Sequence, residues 1–168
     1  AYRPVYIDGN PISGTYRRNG EGDYRCTKEE YQAMVRDAAA VTQDALVLEE
    51  MQLDVLNGES IRSYRQRMRL SRPGHVWEAL EDEDFLLRIG AAAIGKDGRK
   101  HPTSAGLLMF GNEYEIVREF PSYFLDYQER YDETTRWTDR IISSSGDWSG
   151  NIYDFYFRVY NKLVQDIK

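Results

Sequence analysis

The sequence predicts an α+β fold: an N-terminal β-hairpin and helix, a small helical segment, then an antiparallel or mixed sheet packed by a C-terminal helix. Three observations carry this. A turn-rich phrase in the first twenty residues runs into a helix-start signal. Apolar residues then recur at helical spacing in several separate segments, and from Leu125 onward aromatic or aliphatic residues alternate with polar ones. With 168 residues, 41% hydrophobic and 30% charged, the chain suffices for one domain with a real core, or two small pieces sharing one.

Val5, Tyr6 and Ile7, a break at Gly9-Asn10-Pro11, and the run from Gly14 through Tyr16, Arg17 and Arg18 to Gly20 read as two short strands joined by a turn. A helix follows. Thr27 is its N-cap, Glu30 is placed three residues later as a capping-box partner, and Tyr31, Met34, Val35 and Ala38 line one face. Residues 46–56 fit neither a two-residue nor a 3.6-residue period and read as a linker with a short strand or turn.

Ser60 is positioned to cap a helix carrying Ile61, Tyr64 and Met68, stopped by Pro73-Gly74. An acidic helix comes next, with Asp82, Glu83 and Asp84 at its start and Phe85, Leu86, Ile89 and Ala92 on its buried stripe. Lys96-Asp97-Gly98-Arg99 has turn composition. Thr103 or Ser104 caps a short helix from Ala105 to Phe110, and Gly111 is placed to end it in a left-handed conformation.

Residues 115–120 and 123–130 are strand-like, residues 137–142 are a third candidate strand, and residues 143–150 form a loop rich in Ser, Gly and Asp. Asn151 or Ser149 caps the closing helix, whose expected apolar stripe is Ile152, Phe155, Tyr156, Val159, Leu163 and Val164.

Composition limits function. No apolar stretch approaches the roughly 20 residues that cross a bilayer. Cys26 is the only cysteine, which fits a reducing, cytoplasmic setting and leaves no cysteine-based zinc site. The net charge of −6 opposes broad attraction to nucleic acid, although a local basic patch still acts against that background. The first residue is Ala1 and strand-like sequence follows at once, so the chain reads as a piece of a longer protein.

Candidate site residues each have a plain structural alternative. Arg17 and Arg18 follow Tyr16 on a strand beside a Gly-rich turn, with Arg25 a few residues on, where guanidinium groups present themselves to phosphates or acidic partners; the alternative is a solvated strand end beside Glu21 and Asp23. The arginines of residues 62–72 suit a nucleic-acid backbone, or are matched internally by the acids of residues 78–84. His75 and His101 have no nucleophile or second ligand at motif spacing. Ser143-Ser144-Ser145-Gly146-Asp147 lacks the Gly-x-Ser-x-Gly elbow, and no phosphate-binding loop occurs. The expectation is a chain with no catalytic residue, no metal and no cofactor. The tyrosines of residues 123–131 suit base stacking or a half-buried sheet.

Two groups of residues carry a family resemblance. Pro4-Val5-Tyr6-Ile7, the run from Gly14 to Gly20 and Thr27-Lys28-Glu29-Glu30-Tyr31 resemble the closing segment of the Schlafen-type AlbA domain found in bacterial transcriptional regulators related to RecG-like ATP-dependent helicases. The phrase from Asp82 to Gly90, followed by Pro102-Thr103-Ser104-Ala105-Gly106-Leu107-Leu108-Met109-Phe110-Gly111, is similar to a second phrase of the same proteins, in the same order. The departures are Arg17-Arg18-Asn19 and Asp23-Tyr24-Arg25-Cys26, where small polar residues are usual.

The resemblance implies a middle fragment. Residues 1–45 would be the end of an AlbA-like domain, and residues 46–168 a helical connector and α/β region ahead of an ATPase-like domain. It implies a non-catalytic part of a DNA-binding regulator, with Arg17, Arg18 and Arg25 as nucleic-acid contacts and DNA reached through the parent protein. The other expectation is a protein-interaction or self-association module without nucleic-acid contact, using the aromatics of residues 123–131 or 153–160. Neither expectation involves a membrane.

Overall fold

The computed structural model describes residues 6–37, 42–130 and 138–165. The chain forms two compact units, Ala1–Gln43 and Asp44–Lys168. Val5, Ala38, Tyr131 and Trp137, named in the sequence expectations, lie outside the described residues.

The first unit is a hairpin and a helix, as expected, with the strands shifted along the chain. β1 (Tyr16–Asn19) pairs antiparallel with β2 (Gly22–Arg25), and Gly20-Glu21 turns the chain between them. The expected earlier strand is reduced to a single bridge from Tyr6 to Thr15, because the Asn10 side chain folds residues 10–13 into a turn by accepting from the Ile12 and Ser13 amides. α1 (Lys28–Asp37) begins with the capping box read from the sequence. The Glu30 amide donates to Thr27 Oγ1 at 3.2 Å, and the Thr27 amide donates to Glu30 Oε2 at 2.9 Å.

The second unit holds α2 (Gly58–Ser71), α3 (Asp82–Arg88), the hairpin β3 (Ala92–Ile94) and β4 (Lys100–Pro102), then α4 (Ser104–Phe110) and α5 (Glu113–Glu119). It closes with the antiparallel pair β5 (Asp126–Glu129) and β6 (Asp139–Ile142), and with α6 (Ile152–Gln165). Residues 46–56 are irregular, as expected: Val47 and Leu56 make isolated bridges to Thr103 and Gly111, and a single 3-10 turn spans Leu53–Val55.

Besides Ala92, expected on the stripe of α3 but placed at the start of β3 because the helix ends at Arg88, four expectations are corrected. Asn57, not Ser60, caps α2: its Oδ1 accepts from the Glu59 and Ser60 amides at 3.0 Å. Ser60 is instead buried in a polar network. Residues 115–120 are helical, because their amides find carbonyls four residues back, Ile116 to Asn112 and Phe120 to Ile116, and Ile116 is fully buried. Gly111 has φ −69, not a left-handed value. Its need for glycine is spatial, since a Cβ there would lie 2.5 Å from the Leu107 carbonyl oxygen. The fourth correction is at α6. Tyr153 and Phe157 meet the core, while Tyr156, Leu163 and Val164 of the expected buried stripe are about half exposed.

α4 lies at the centre of this unit. Its Phe110 joins a cluster with Leu56, Ile61, Leu86, Ala92 and Tyr153, and its Leu107 joins a second cluster with Leu48, Met51 and Ile116. Each such buried side chain contributes about 1.5–3 kcal/mol relative to exposure. α4 approaches the segment before β3 so closely that a Cβ on Gly106 would lie 1.8 Å from the Ala91 carbonyl oxygen.

A polar network fixes the helix starts against one another. Asn151, fully buried, donates through Nδ2 to Ser60 Oγ at 2.9 Å and to the Gly111 carbonyl at 3.1 Å. Ser60 Oγ donates to Asp154 Oδ2 at 2.7 Å, and the Asp154 amide donates to Asn151 Oδ1 at 2.9 Å, which makes Asn151, of the two candidates Asn151 and Ser149, the cap of α6. Among the described residues, every buried side-chain nitrogen and oxygen has a hydrogen-bond partner.

Candidate functional site

The three arginines named from the sequence do not form one patch. Residues directly opposite in an antiparallel pair share a face, and successive residues alternate between faces. The register Tyr16 to Arg25, Arg17 to Tyr24 and Arg18 to Asp23 therefore puts Arg18 and Arg25 on one face with Tyr16 and Asp23, and Arg17 on the other with Tyr24. Arg17 Nη1 lies 3.0 Å from Glu30 Oε1, so the capping acid of α1 also holds this arginine. Arg25 donates to Tyr16 Oη at 3.3 Å, with its guanidinium 5.8 Å from that ring's centroid. Arg18 stands exposed opposite Asp23.

The basic helix divides in the same way. Arg65 donates to Asp82 and to the Glu78 and Leu80 carbonyls while lying over the Phe85 ring, and Arg69 pairs with Glu78 at 3.9 Å. These two are matched by the acids of residues 78–84, as one reading of the sequence anticipated. Arg67 and Arg72 make no ion pair among the described residues.

Both face a cavity of about 880 Å³ between α2 and α6, within the range of ligand-binding clefts. Tyr64, Met68 and Leu70 of α2 form one wall, Ile152, Tyr153, Tyr156 and Phe157 of α6 form the other, and Met109 of α4 lies between them. The Arg67 guanidinium lies 3.6 Å from the Phe157 ring centroid, a stacked geometry that leaves its N–H groups free to donate. His75 and Trp77 complete the rim, their rings edge to face at 4.9 Å. His75 Nδ1 accepts from the Trp77 amide at 3.2 Å, which leaves Nε2 to carry the ring proton.

The groove wall contains no aspartate or glutamate. In a chain with 28 acidic and 22 basic residues, this cleft is thus lined by uncharged and basic side chains alone. Beyond it the apolar surface continues along α6: Tyr156, Tyr160 and Leu163 are 58%, 49% and 50% exposed, and the two tyrosine rings stack at 6.2 Å. Sequence reasoning missed the groove. Its walls come from segments about ninety residues apart, and the signal for it was the surplus of apolar residues around α6, more than one face of a helix needs.

The remaining candidates are engaged structurally. His101 is 3% exposed, with Nδ1 2.7 Å from the Met51 carbonyl and Nε2 3.0 and 3.1 Å from the Asp97 carboxylate oxygens. Those acceptors raise its pKa, the Met51 carbonyl foremost and Asp97 next. Ser143 Oγ accepts from the Leu125 amide at 3.1 Å. Tyr123 donates to the Gly150 carbonyl at 2.8 Å, and burial, with Glu113 nearby, pushes its hydroxyl pKa well up. Tyr127 donates to Glu129 at 3.0 Å. These contacts leave Tyr123 and Tyr127 less available as docking groups than the tyrosines of α6. Among the described residues no three His, Cys, Asp or Glu side chains gather as a metal site, and no helix is long and apolar enough to cross a membrane.

The second unit of this α+β chain thus carries an open, aromatic groove rimmed by basic side chains. Residues 32–126 match a family described as a domain of unknown function (DUF8451), and the chain belongs to that family. No curated protein and no solved structure matches it.

Proposed function

We propose that the chain is a non-catalytic binding domain of a DNA-associated regulator of the RecG-like kind, and that its own contact is with protein. The observation that carries this reading is the apolar face of α6, where Tyr156, Tyr160 and Leu163 stay half exposed next to an aromatic groove. Exposed apolar surface continuous with a cleft is the usual mark of an interaction site, and Tyr is enriched at such sites.

The test is hydrogen exchange of the chain with and without its native partner, captured by crosslinking from the source cells. Protection of α2 and α6 is the expected result. Protection confined to the β1–β2 hairpin would overturn the reading.

A second reading, nucleic-acid contact through the hairpin, is favoured by Tyr16, Arg18 and Arg25 sharing one exposed face. It expects salt-sensitive binding to duplex DNA, with the log–log slope falling by roughly one unit for each phosphate that Arg18→Ala or Arg25→Ala no longer neutralises. Arg17→Ala, on the other face and paired to Glu30, is expected to change that slope less. Equal binding by all three variants removes the patch.

A further inference from the structure

We infer that the groove between α2 and α6 takes an acidic amphipathic helix of a protein partner; this rests on the protein-contact reading and names the partner's chemistry. Three features of the groove select that occupant.

The first is charge. The guanidinium groups on the wall are those of Arg67 and Arg72, neither of which has an ion-pair partner among the described residues, and the His75 and Trp77 rings add N–H donors. A rim with two guanidinium groups and no carboxylate is complementary to acids and repels a basic segment. The neighbouring acids Glu78, Asp82, Glu83 and Asp84 do not meet this need, because Arg69, Arg65 and Lys100 already hold them.

The second is length. The exposed strip from Tyr156 to Leu163 runs about 10 Å along α6 at 1.5 Å per residue, so the apolar surface continues past the cleft. A compact small molecule would fill the cleft and leave the strip in water. An elongated partner with apolar residues at i, i+3 or i+4, and i+7 covers both.

The third is backbone chemistry. α2 and α6 wall the groove, and their N–H and C=O groups are spent within the helices, so no strand edge is on offer for an extended peptide to pair with. A helix satisfies its own backbone and presents only side chains. Met68 and Met109 give the floor the adaptable packing such an occupant uses.

The experiment uses the full chain and two fluorescein-labelled helical peptides of about 16 residues, long enough for about 24 Å of helix. Both carry leucines at i, i+3 and i+7; one has glutamates at the flanking positions and the other lysines. Fluorescence anisotropy is expected to show the glutamate peptide binding at least about tenfold more tightly, with the preference shrinking as salt is raised. Arg67→Gln with Arg72→Gln is expected to reduce the preference to about twofold or less, and Tyr156→Ser to weaken both peptides. Circular dichroism of each variant confirms that the fold is retained.

Equal binding by the two peptides, no binding of either, or a preference unchanged in the double arginine variant overturns the inference. Competition by a single-stranded oligothymidine that binds more tightly than the glutamate peptide also overturns it, in favour of nucleic acid. Sedimentation separates the two levels of the argument. A dimer abolished by Tyr156→Ser but not displaced by the glutamate peptide sinks the acidic-helix occupant and leaves protein contact by α6 standing.

Discussion

His101 shows how one residue is committed by its surroundings. Both ring nitrogens face acceptors, the Met51 carbonyl and the Asp97 carboxylate, so the doubly protonated ring satisfies both at once. Its folded pKa is raised by those two partners, with Glu49 adding to the field. A raised folded pKa means that the contribution to stability is fully present below the unfolded value of about 6.5 and is lost as pH rises through the folded pKa. Asp97 has the opposite sign. Its pKa is lowered, first by the Arg99 amide and then by His101, so its contribution is lost as pH falls through the acid range. Thermal unfolding followed by tryptophan fluorescence should therefore show stability falling on the alkaline side of about pH 6.5. His101→Gln should flatten that limb and reduce the acid limb without removing it, since the Arg99 amide still holds Asp97. An unchanged alkaline limb in the variant would show that another group sets it. His75, in contrast, spends only Nδ1, on the Trp77 amide, and lines the groove.

Among the elements, α4 places the tightest demand on its sequence. Thr103 caps it by accepting from the Gly106 amide at 3.0 Å and donates to the Gly90 carbonyl at 2.7 Å, which ties the helix start to the turn before β3. Gly106 then faces the Ala91 carbonyl with no room for a methyl group. Helix propensity alone favours Gly106→Ala by up to about 1 kcal/mol. The steric term is expected to win: the obstacle is backbone rather than a movable side chain, and overpacking of this kind costs about 1–3 kcal/mol or more. Urea denaturation should place the variant's midpoint below that of the unaltered chain. A higher midpoint would mean that α4 moves away from Ala91 without penalty.

On the scale of the whole second unit, α4 joins two apolar clusters, one holding Phe110 and the other Leu107, so neither cluster should unfold alone. Phe85, 1% exposed, packs near Tyr64, which borders the Phe110 cluster, and Leu107 is fully buried in the second cluster. Phe85→Ala should cost about 3–5 kcal/mol and Leu107→Ala about 2–5 kcal/mol, with tryptophan fluorescence and far-ultraviolet dichroism shifting together across this unit's transition. Separate fluorescence and dichroism transitions in Leu107→Ala alone would show that the clusters are independent. The buried polar network of Ser60, Asn151 and Asp154 adds direction to this packing. It fixes the starts of α2 and α6 and the end of α4 at one point, and the groove opens between the same two outer helices.

Much of this was legible along the chain wherever the deciding interaction is local. The capping box of Thr27 and Glu30 and the Lys96–Arg99 turn depend on residues within a few positions and were readable outright, and the caps Thr103 and Asn151 were each readable as one of two neighbouring candidates. Residues 115–120 were misread because an apolar run this short fits a strand and a helix alike; burial of Ile116 against Leu48, Met51 and Leu107 selects the helix. The three arginines were legible as residues but not as a site, because strand alternation and Glu30 divide them. By itself, then, the sequence determined the α+β class, most helix starts and the surplus of aromatic and basic side chains near α2 and α6. Only the tertiary structure decided which of those side chains are spent on the core or on ion pairs and which are left facing a groove. That choice depends on contacts between segments far apart in the chain, and no local period encodes them.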